Sequence, residues 1–266
     1  MSSSVPANLA PSFSHFDDEI VKAMEAITGL PAARLIAQSG ILNDEREDEL
    51  SVLDNAAGAG VVTALLMQEL PRGRKVKVVL ADLEQRMVDL AKQRAEQRGW
   101  QNLDVQKADA QELPFADASF DYILWNFGPQ LLPHEKKGLA EAHRVLRPHS
   151  TLGYTSWTSP GFLPLLIAAD PSFRVPPLFS APHSTVAGAA GFLGELGFED
   201  VKVEPVSVPV KFDGVEHFFQ AMKKGVPGLW ADEERNKKVA AMLTEKFGEA
   251  PFELMWEGLV ITAKKA

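Results

Sequence analysis

The chain has no cysteine among its 266 residues, which excludes disulfide bonds, thiolate-bound zinc and a cysteine nucleophile. It also lacks a run of about 18 uninterrupted apolar residues, the length that a membrane-spanning helix requires. The stretch 1–16, MSSSVPANLAPSFSHF, has neither a basic segment nor a long apolar run and does not resemble a secretory signal. We therefore expect a cytoplasmic protein without a membrane partner.

Positive charge is scarce as well. The chain carries 27 Lys and Arg against 36 Asp and Glu, a formal net charge of -9. Such a surface repels a phosphate backbone, so we expect no nucleic-acid partner. We interpret the basic cluster at 72–77, RGRKVK, as a solvated loop that leads into a strand. The sequence indicates no metal site, and it leaves the oligomeric state open.

Short apolar strands alternate with helices from residue 50 onward. Strands are expected at 51–54, 75–81, 103–107, 120–125, 151–157, 201–210 and 254–263, and helices at 61–70, 84–98, 134–146 and 186–196. This alternation predicts an α/β fold of the Rossmann-like kind. Its seven-stranded, mainly parallel sheet is expected to carry helices on both faces.

The chain 1–266 is predicted to be a single domain. A helical arm at 1–48 precedes a core at 49–157, and Pro31 is expected to break the arm's helix or to start a second one. The acidic stretch 43–49 is interpreted as a solvated loop. Two inserts, 158–185 and 213–248, interrupt the later strands, and the second is expected to be helical. We call these two inserts the cap.

The stretch 52–60, VLDNAAGAG, places a turn of small residues directly after the first strand. Ligands of open α/β sheets bind beyond the carboxyl ends of the strands, so this turn is well placed. A dinucleotide fingerprint G-x-G-x-x-G that starts at Gly58 would require a third glycine where Thr63 stands. Because hydride-transfer residues are also not evident, an NAD-dependent oxidoreductase is disfavoured. The alternative register is led by Asp54 and continues through Ala56, Gly58 and Gly60.

This register resembles the first motif of class I S-adenosylmethionine-dependent methyltransferases, D/E-x-G-x-G-x-G, with Ala56 at the first glycine. Later segments resemble the same family in order: Asp82 after the second strand, DAQELPF at 109–115, SFD at 119–121 and EAHRVLRP at 141–148. The resemblance covers about residues 50 to 157. Within the family, the chain looks similar to the ubiquinone/menaquinone-biosynthesis type and to fungal secondary-metabolite enzymes, including those that methylate gliotoxin-type thiols.

The resemblance implies S-adenosylmethionine as the cofactor and assigns residues to its parts. Asp54 is expected to hold the methionine end, directly or through water, with capping of the turn as the alternative role. Asp82 is expected to bind the ribose hydroxyls. The other expected contacts are the turn residues Ala56, Gly58 and Gly60, the adenine neighbours Leu83, Met87, Asp109 and Ala110, and the sulfonium neighbours Asn126 and Phe127. The pair Glu141 and Arg144 is interpreted as structural.

Methyl transfer from a sulfonium is an in-line displacement, and alignment together with desolvation can supply most of its acceleration. A general base is required only when the acceptor arrives protonated with a high pKa. The sequence does not identify a catalytic residue. Four histidines lie where they could face the substrate, namely His15, His134, His183 and His217.

Apolar residues of the arm and the cap favour a small, largely apolar acceptor enclosed away from water. The expected substrate contacts are Phe16, Trp157, Phe162, Phe179, Phe218 and Met222. Alternatively, these residues form a small core within the cap. The acceptor atom (O, N or S) stays open, with thiol methylation in secondary metabolism as one hypothesis. A cofactor-binding regulatory protein without turnover and a protein methyltransferase are the competing hypotheses.

Overall fold

The computed structural model describes residues 18–180 and 184–266. Its first element is helix α1, Asp18–Ser39, which continues through Pro31. The predicted break at this proline is therefore wrong. Pro31 is buried, and the next turn buries Ala32, Leu35 and Ile36 against the sheet. This burial offsets the backbone hydrogen bond that a proline cannot donate.

The sheet is built from β1 Leu50–Asn55, β2 Val76–Asp82, β3 Leu103–Lys107, β4 Phe120–Trp125, β5 Leu146–Ser159, β6 Phe198–Phe212 and β7 Phe252–Lys265. The seven strands lie in the order β3-β2-β1-β4-β5-β7-β6. Neighbours among β1 to β5 run parallel, and β7 is antiparallel to both β5 and β6. The predicted seven-stranded, mainly parallel sheet is confirmed, although β5, β6 and β7 are longer than predicted at both ends.

Helices cover both faces of this sheet. They are α2 Val61–Glu69, α3 Gln85–Arg98, α4 Glu135–Val145, α5 Leu163–Ala169, α6 Val186–Glu195, α7 Val215–Gly225 and α8 Glu233–Phe247. Successive strand residues point to opposite faces, so Val52 joins the core beneath α1 and α2 while Leu53 joins the core beneath α4 and α6. None of the described helices is long and apolar enough to span a bilayer.

The cap lies at the carboxyl edge of the parallel strands. β6 runs in the same direction as β5, because each is antiparallel to β7. The end of β6 and the start of β7 therefore lie at that edge, and α7 and α8 extend from it. α5 follows β5 at the same edge. The guanidinium of Arg235 in α8 lies 5.0 Å from the ring of Phe173, which follows α5, so the two inserts touch.

Ion pairs gather at the opposite, amino edge. The Asp44 side chain is only 7% exposed, and it accepts hydrogen bonds from Arg46 and from the Tyr122 hydroxyl. Asp121 accepts hydrogen bonds from Arg46 and Arg147. The prediction of a solvated acidic loop is therefore wrong for Asp44, because Tyr122 of the distant strand β4 covers it and donates to it. The remaining acidic residues of that stretch are exposed.

Candidate active site

The turn between β1 and α2 has an unusual backbone. Ala56, Gly58 and Gly60 have φ angles of 47°, 56° and 83°, in the left-handed region that favours glycine. A Cβ at Gly60 would lie 2.8 Å from Leu80 Cδ2, so close packing onto β2 requires that glycine. A Cβ at Gly58 would meet no atom within 4 Å. The turn therefore leaves open space at Gly58, where a ligand can approach the backbone.

Asp54, at the end of β1, is fully buried, and its two carboxylate oxygens have different surroundings. Oδ2 accepts hydrogen bonds from the Thr63 backbone N–H at 3.0 Å and from the Thr63 hydroxyl at 2.7 Å, which caps the first turn of α2. Oδ1 is buried without a hydrogen-bond partner among the described residues. Burial raises the pKa of Asp54 to about 7, although the Thr63 bonds oppose that rise. The capping role therefore leaves one acceptor available.

Asp82 organises the junction between β2 and the turn. Its Oδ2 accepts a 2.8 Å hydrogen bond from the Gly58 N–H, and its Oδ1 accepts one of 2.9 Å from the Glu84 N–H. Burial is also the main cause of the raised pKa of Asp82. The next side chain, Leu83, is 53% exposed, whereas Met87 is buried. Asp54, Gly58 and Asp82 thus form one acidic junction, which favours a ligand with positive charge.

The loop after β3 carries the predicted adenine neighbours. Asp109 Oδ1 accepts a 2.8 Å hydrogen bond from the Gln111 N–H, and Ala110 is buried. This bond across two residues is an Asx turn, which fixes the local path of the chain. β2 and β3 are neighbours in the sheet, so the loop lies beside Asp82 at the carboxyl edge.

Glu141 and Arg144, on α4, hold the same loop. Glu141 accepts a 2.9 Å hydrogen bond from the Leu113 N–H. Arg144 donates to the carbonyls of Phe115 at 2.8 Å and Leu113 at 3.0 Å, and also to Glu141. The hydrogen bonds from Arg144 to the Glu141 carboxylate hold the pKa of Glu141 below its usual value. The pair satisfies backbone groups of the loop and does not point to a chemical step.

The end of β4 is tied to β5 and to α1. Asn126 Oδ1 accepts a 2.8 Å hydrogen bond from the Thr155 hydroxyl, and Asn126 Nδ2 donates to the Thr28 carbonyl at 3.2 Å. Phe127 has a φ of 59° and donates its N–H to Thr155 Oγ1 at 2.9 Å. Its ring stacks on Trp157 with centroids 4.1 Å apart. The expected sulfonium neighbours are therefore held by contacts from two other elements.

The described candidate bases lie toward the surface. His134 is exposed before α4, and its backbone N–H donates to Gln111 Oε1. The His217 side chain is 47% exposed, and its Nδ1 accepts a 3.0 Å hydrogen bond from the Asp213 N–H. Neither imidazole is buried at the acidic junction. His15 and His183 lie outside the described residues.

The predicted substrate contacts are buried together. Trp157, Phe162, Phe179, Phe218 and Met222 are each less than 9% exposed. Phe162 meets the rings of Phe179, Trp230 and Trp256 at centroid distances of 6.0, 6.1 and 5.3 Å. These four rings form what we call the aromatic cluster, and it joins the end of β5 to the cap. Their mutual packing agrees with the alternative that the predicted contacts form a core within the cap. Phe16 lies outside the described residues.

Several buried polar residues near this edge lie outside the sequence motifs described above. Gln130 Oε1 accepts hydrogen bonds from the Ser156 hydroxyl and from the Trp157 N–H. Asn55 Nδ2 is buried without a partner among the described residues. Thr155 is the shared partner of Asn126 and Phe127. The only sequence signal of Asn55 and Thr155 is a polar side chain within an apolar strand, and Gln130 lies in a short turn of helix after β4, so the sequence predicts neither their partners nor their roles.

Comparison with known proteins agrees with this geometry. Residues 52–149 match a family model described as a methyltransferase domain. An uncharacterized protein of Mycobacterium tuberculosis is 30% identical over 246 residues, 87% of this chain and 85% of that protein. Methyltransferase tpcH of Aspergillus fumigatus is 26% identical over 227 residues, 79% of this chain and 80% of that protein. The ubiquinone/menaquinone biosynthesis C-methyltransferase UbiE of Rickettsia prowazekii is 37% identical over 100 residues, 37% of this chain and 40% of that protein.

Solved structures agree on the fold. The YcgJ protein from Bacillus subtilis superimposes with a TM-score of 0.62 at 19% identity, covering 89% of this chain and 98% of that one. The chain belongs to the class I S-adenosylmethionine-dependent methyltransferases. It is a methyltransferase enzyme, and its cofactor is S-adenosylmethionine.

Proposed function

We propose that this enzyme transfers the methyl group of S-adenosylmethionine to an O, N or S atom of a small, largely apolar metabolite. The observation that carries the proposal is the acidic junction of Asp54, Gly58 and Asp82, which opens at the same sheet edge as the aromatic cluster of the cap. The junction suits a cationic nucleoside, and the cluster suits an apolar acceptor.

The residues of the junction fit the cofactor. Asp54 Oδ1, which has no partner in the described part of the chain, can accept a hydrogen bond from the cofactor's ammonium group, and the open space at Gly58 admits a ligand against the backbone. The Asp82 carboxylate has further lone pairs for the ribose hydroxyls, because each oxygen can accept two bonds. Asp109 and Ala110 would meet the adenine, and Asn126 and Phe127 the sulfonium. When bound, the cofactor supplies an electrophilic methyl group.

The chain's own contribution is alignment and exclusion of water. Trp157 and Phe162 are buried side chains that would border the proposed acceptor space, and an acceptor held among such rings would lose most of its hydration. Good alignment alone can contribute about 7–11 kcal/mol to lowering the barrier. Phe179, Phe218 and Met222 would enclose the space from the cap. Substrate size would then be set by how far this aromatic cluster opens.

A thiol acceptor agrees best with the surroundings. A thiol with a pKa of about 8.5 is partly ionised near neutral pH and needs no enzyme base. The exposure of His134 and of His217 supports an acceptor of this kind. We further propose that the acceptor belongs to secondary metabolism, as the resemblance to fungal enzymes suggests.

The test is incubation with methyl-labelled S-adenosylmethionine and a panel of thiols, phenols and amines. We expect label in at least one small molecule, most readily in an aromatic thiol, and less label with Asp82→Ala at the same subsaturating cofactor concentration. Label in added protein would instead identify a protein methyltransferase. Tight binding of S-adenosylhomocysteine in calorimetry, without transfer to any acceptor, would favour a regulatory protein. The absence of cofactor binding would overturn all three hypotheses.

A further inference from the structure

We propose that Thr155 is a positioning residue that couples the docking of α1 to the conformation of Asn126 and Phe127. The proposal rests on the proposed function, in which those two residues face the sulfonium. Thr155 lies on β5, and its side chain is fully buried. It belongs to no family motif, and its assignment depends on hydrogen bonds to residues at the end of β4.

One hydroxyl fixes two neighbouring residues. Thr155 Oγ1 donates its proton to Asn126 Oδ1 at 2.8 Å and accepts the Phe127 N–H at 2.9 Å. A hydroxyl has one proton to donate, and here the donor and one acceptor position are both used. The side-chain amide of Asn126 and the backbone amide of Phe127 are therefore set by a single atom.

Phe127 needs this support because its backbone is strained. A bulky residue at a φ of 59° is uncommon, and such residues persist where their surroundings hold them. The Thr155 hydroxyl holds the backbone N–H, and Trp157 stacks on the ring at an interplanar angle of 13°. Residues two apart on a strand share a face, so one face of β5 supplies both contacts.

The same arrangement reaches α1. Because Oδ1 of Asn126 faces Thr155, its Nδ2 is directed to the Thr28 carbonyl, 3.2 Å away. Thr28 lies in the turn of α1 that precedes Pro31, where a helix has one backbone bond fewer. The chain of contacts Thr155–Asn126–Thr28 therefore links a central strand to α1. Displacement of α1 would remove the hydrogen bond from the Asn126 amide to Thr28. Loss of the Thr155 hydroxyl would release both the Asn126 side chain and the Phe127 N–H.

The decisive comparison is Thr155→Val with Thr155→Ser. Valine keeps the shape but removes the hydroxyl, whereas serine keeps the hydroxyl. The control is Thr262→Val, which removes a buried hydroxyl that accepts a 3.1 Å bond from Gln38 near the C-terminal end of α1. Hydrogen exchange of the amides of residues 24–32 and calorimetric affinities for S-adenosylmethionine and S-adenosylhomocysteine are measured for each protein. These two ligands differ only in the methyl group and the charge at sulfur.

We expect Thr155→Val to speed exchange in residues 24–32 by about tenfold, and to weaken S-adenosylmethionine about fivefold more than S-adenosylhomocysteine. In Thr155→Ser, the exchange rate and the ratio of the two affinities should lie within about twofold of those of the unaltered protein. Thr262→Val should leave the ratio of affinities unchanged. Equal behaviour of the valine and serine variants, or an unchanged ratio in Thr155→Val, would overturn the proposal.

The outcome can be separated from that of the proposed function. If the unaltered protein bound neither ligand, the proposed function would fail, and the exchange of residues 24–32 would still test the link to α1. If Thr155→Val did not fold, Asn126→Ala would replace it, because that variant breaks the bonds to Thr155 and Thr28 but keeps the Phe127 N–H bond. It is expected to give the same faster exchange, and unchanged exchange in it would contradict the coupling.

Discussion

The backbone N–H of Gly58 donates a 2.8 Å hydrogen bond to Asp82 Oδ2 and joins the turn after β1 to the end of β2. This bond gives Asp82 a structural role beside the ribose contact that we propose for it. The carboxylate also holds the turn in the conformation that leaves space at Gly58. Cofactor affinity and turn geometry are therefore expected to change together when Asp82 is altered.

The first prediction concerns Asp82→Ala. We expect it to weaken S-adenosylhomocysteine binding by about 1–3 kcal/mol, because a buried hydrogen-bonding group is removed from both the turn and the ligand. Calorimetry measures the affinity. The matched control is Asp104→Ala on β3, where the carboxylate is exposed and an unchanged affinity is expected. The same affinity in both variants would refute the assignment of Asp82.

The second prediction concerns the pH dependence of stability through Asp54. Burial raises its pKa from 3.8 to about 7, so the folded protein holds this proton more tightly than the unfolded chain does. Its contribution to stability therefore falls as the pH rises between about 4 and 7 and levels off above that range. We expect Asp54→Asn to increase the free energy of unfolding more at pH 8 than at pH 5, by about 1–3 kcal/mol. Urea unfolding at both pH values measures the difference.

The same carboxyl group makes ligand binding depend on pH. If Asp54 Oδ1 accepts from the cofactor's ammonium group, the ionised form binds more tightly, and the affinity for S-adenosylhomocysteine rises as the pH passes about 7. Asp54→Asn keeps an oxygen for the Thr63 bonds and removes the charge, so that rise is expected to disappear. An identical pH profile in both proteins would leave Asp54 with the capping role alone.

The third prediction concerns Ala56, whose φ of 47° is unfavourable for a residue with a Cβ. We expect Ala56→Gly to leave the free energy of unfolding unchanged or to raise it by up to about 1 kcal/mol, because relief of strain opposes the greater entropy of glycine in the unfolded chain. Ala57 has no positive φ, and Ala57→Gly is expected to lower the free energy of unfolding by about 1 kcal/mol. Equal losses at the two positions in urea unfolding would show that the turn is not strained at Ala56.

The sequence predicts the order of strands and helices because each is a local pattern of apolar residues and turn residues. It also predicts that Asp54 and Asp82 stand at the ends of the first and second strands, since both lie next to apolar runs. It does not predict partners that are distant along the chain. Thr155 and Asn126 are 29 positions apart, and Asn126 and Thr28 are 98 apart. A pattern of burial indicates that such side chains are inside, and the packing of elements decides which of them meet.

The strand ends differ from the prediction for a related reason. β5 begins at Leu146, although Arg147, Pro148 and His149 interrupt its apolar pattern. Leu146 is nevertheless paired with Phe120 of β4, and at the other end Ser159 is paired with Glu257 of β7. Hydrogen bonds to a neighbouring strand extend β5 where its own side chains give no apolar signal. Cap residues such as Phe162 could be recognised as buried, but the sequence could not distinguish a core position from a substrate contact.

The last prediction concerns the loop after β3. Arg144→Ala would leave the carbonyls of Leu113 and Phe115 without their guanidinium donor, so amides at 109–117 are expected to exchange faster. S-adenosylhomocysteine binding should weaken about threefold to tenfold, because the loop that would meet the adenine is no longer held in place. Arg144→Lys should recover only part of the loss, since an ammonium group cannot reproduce the planar fork.

A lysine on the same helix provides the control for that prediction. Lys137 Nζ lies 4.0 Å from Glu112 Oε2, so it also reaches the loop, but both side chains are more than half exposed. An exposed pair of this kind contributes little, and Lys137→Ala is expected to leave both exchange and affinity unchanged. Because the two substitutions each remove one positive charge from α4, a general electrostatic effect would change them equally. A difference between Arg144→Ala and Lys137→Ala is expected because Arg144 alone contacts the loop carbonyls and Glu141.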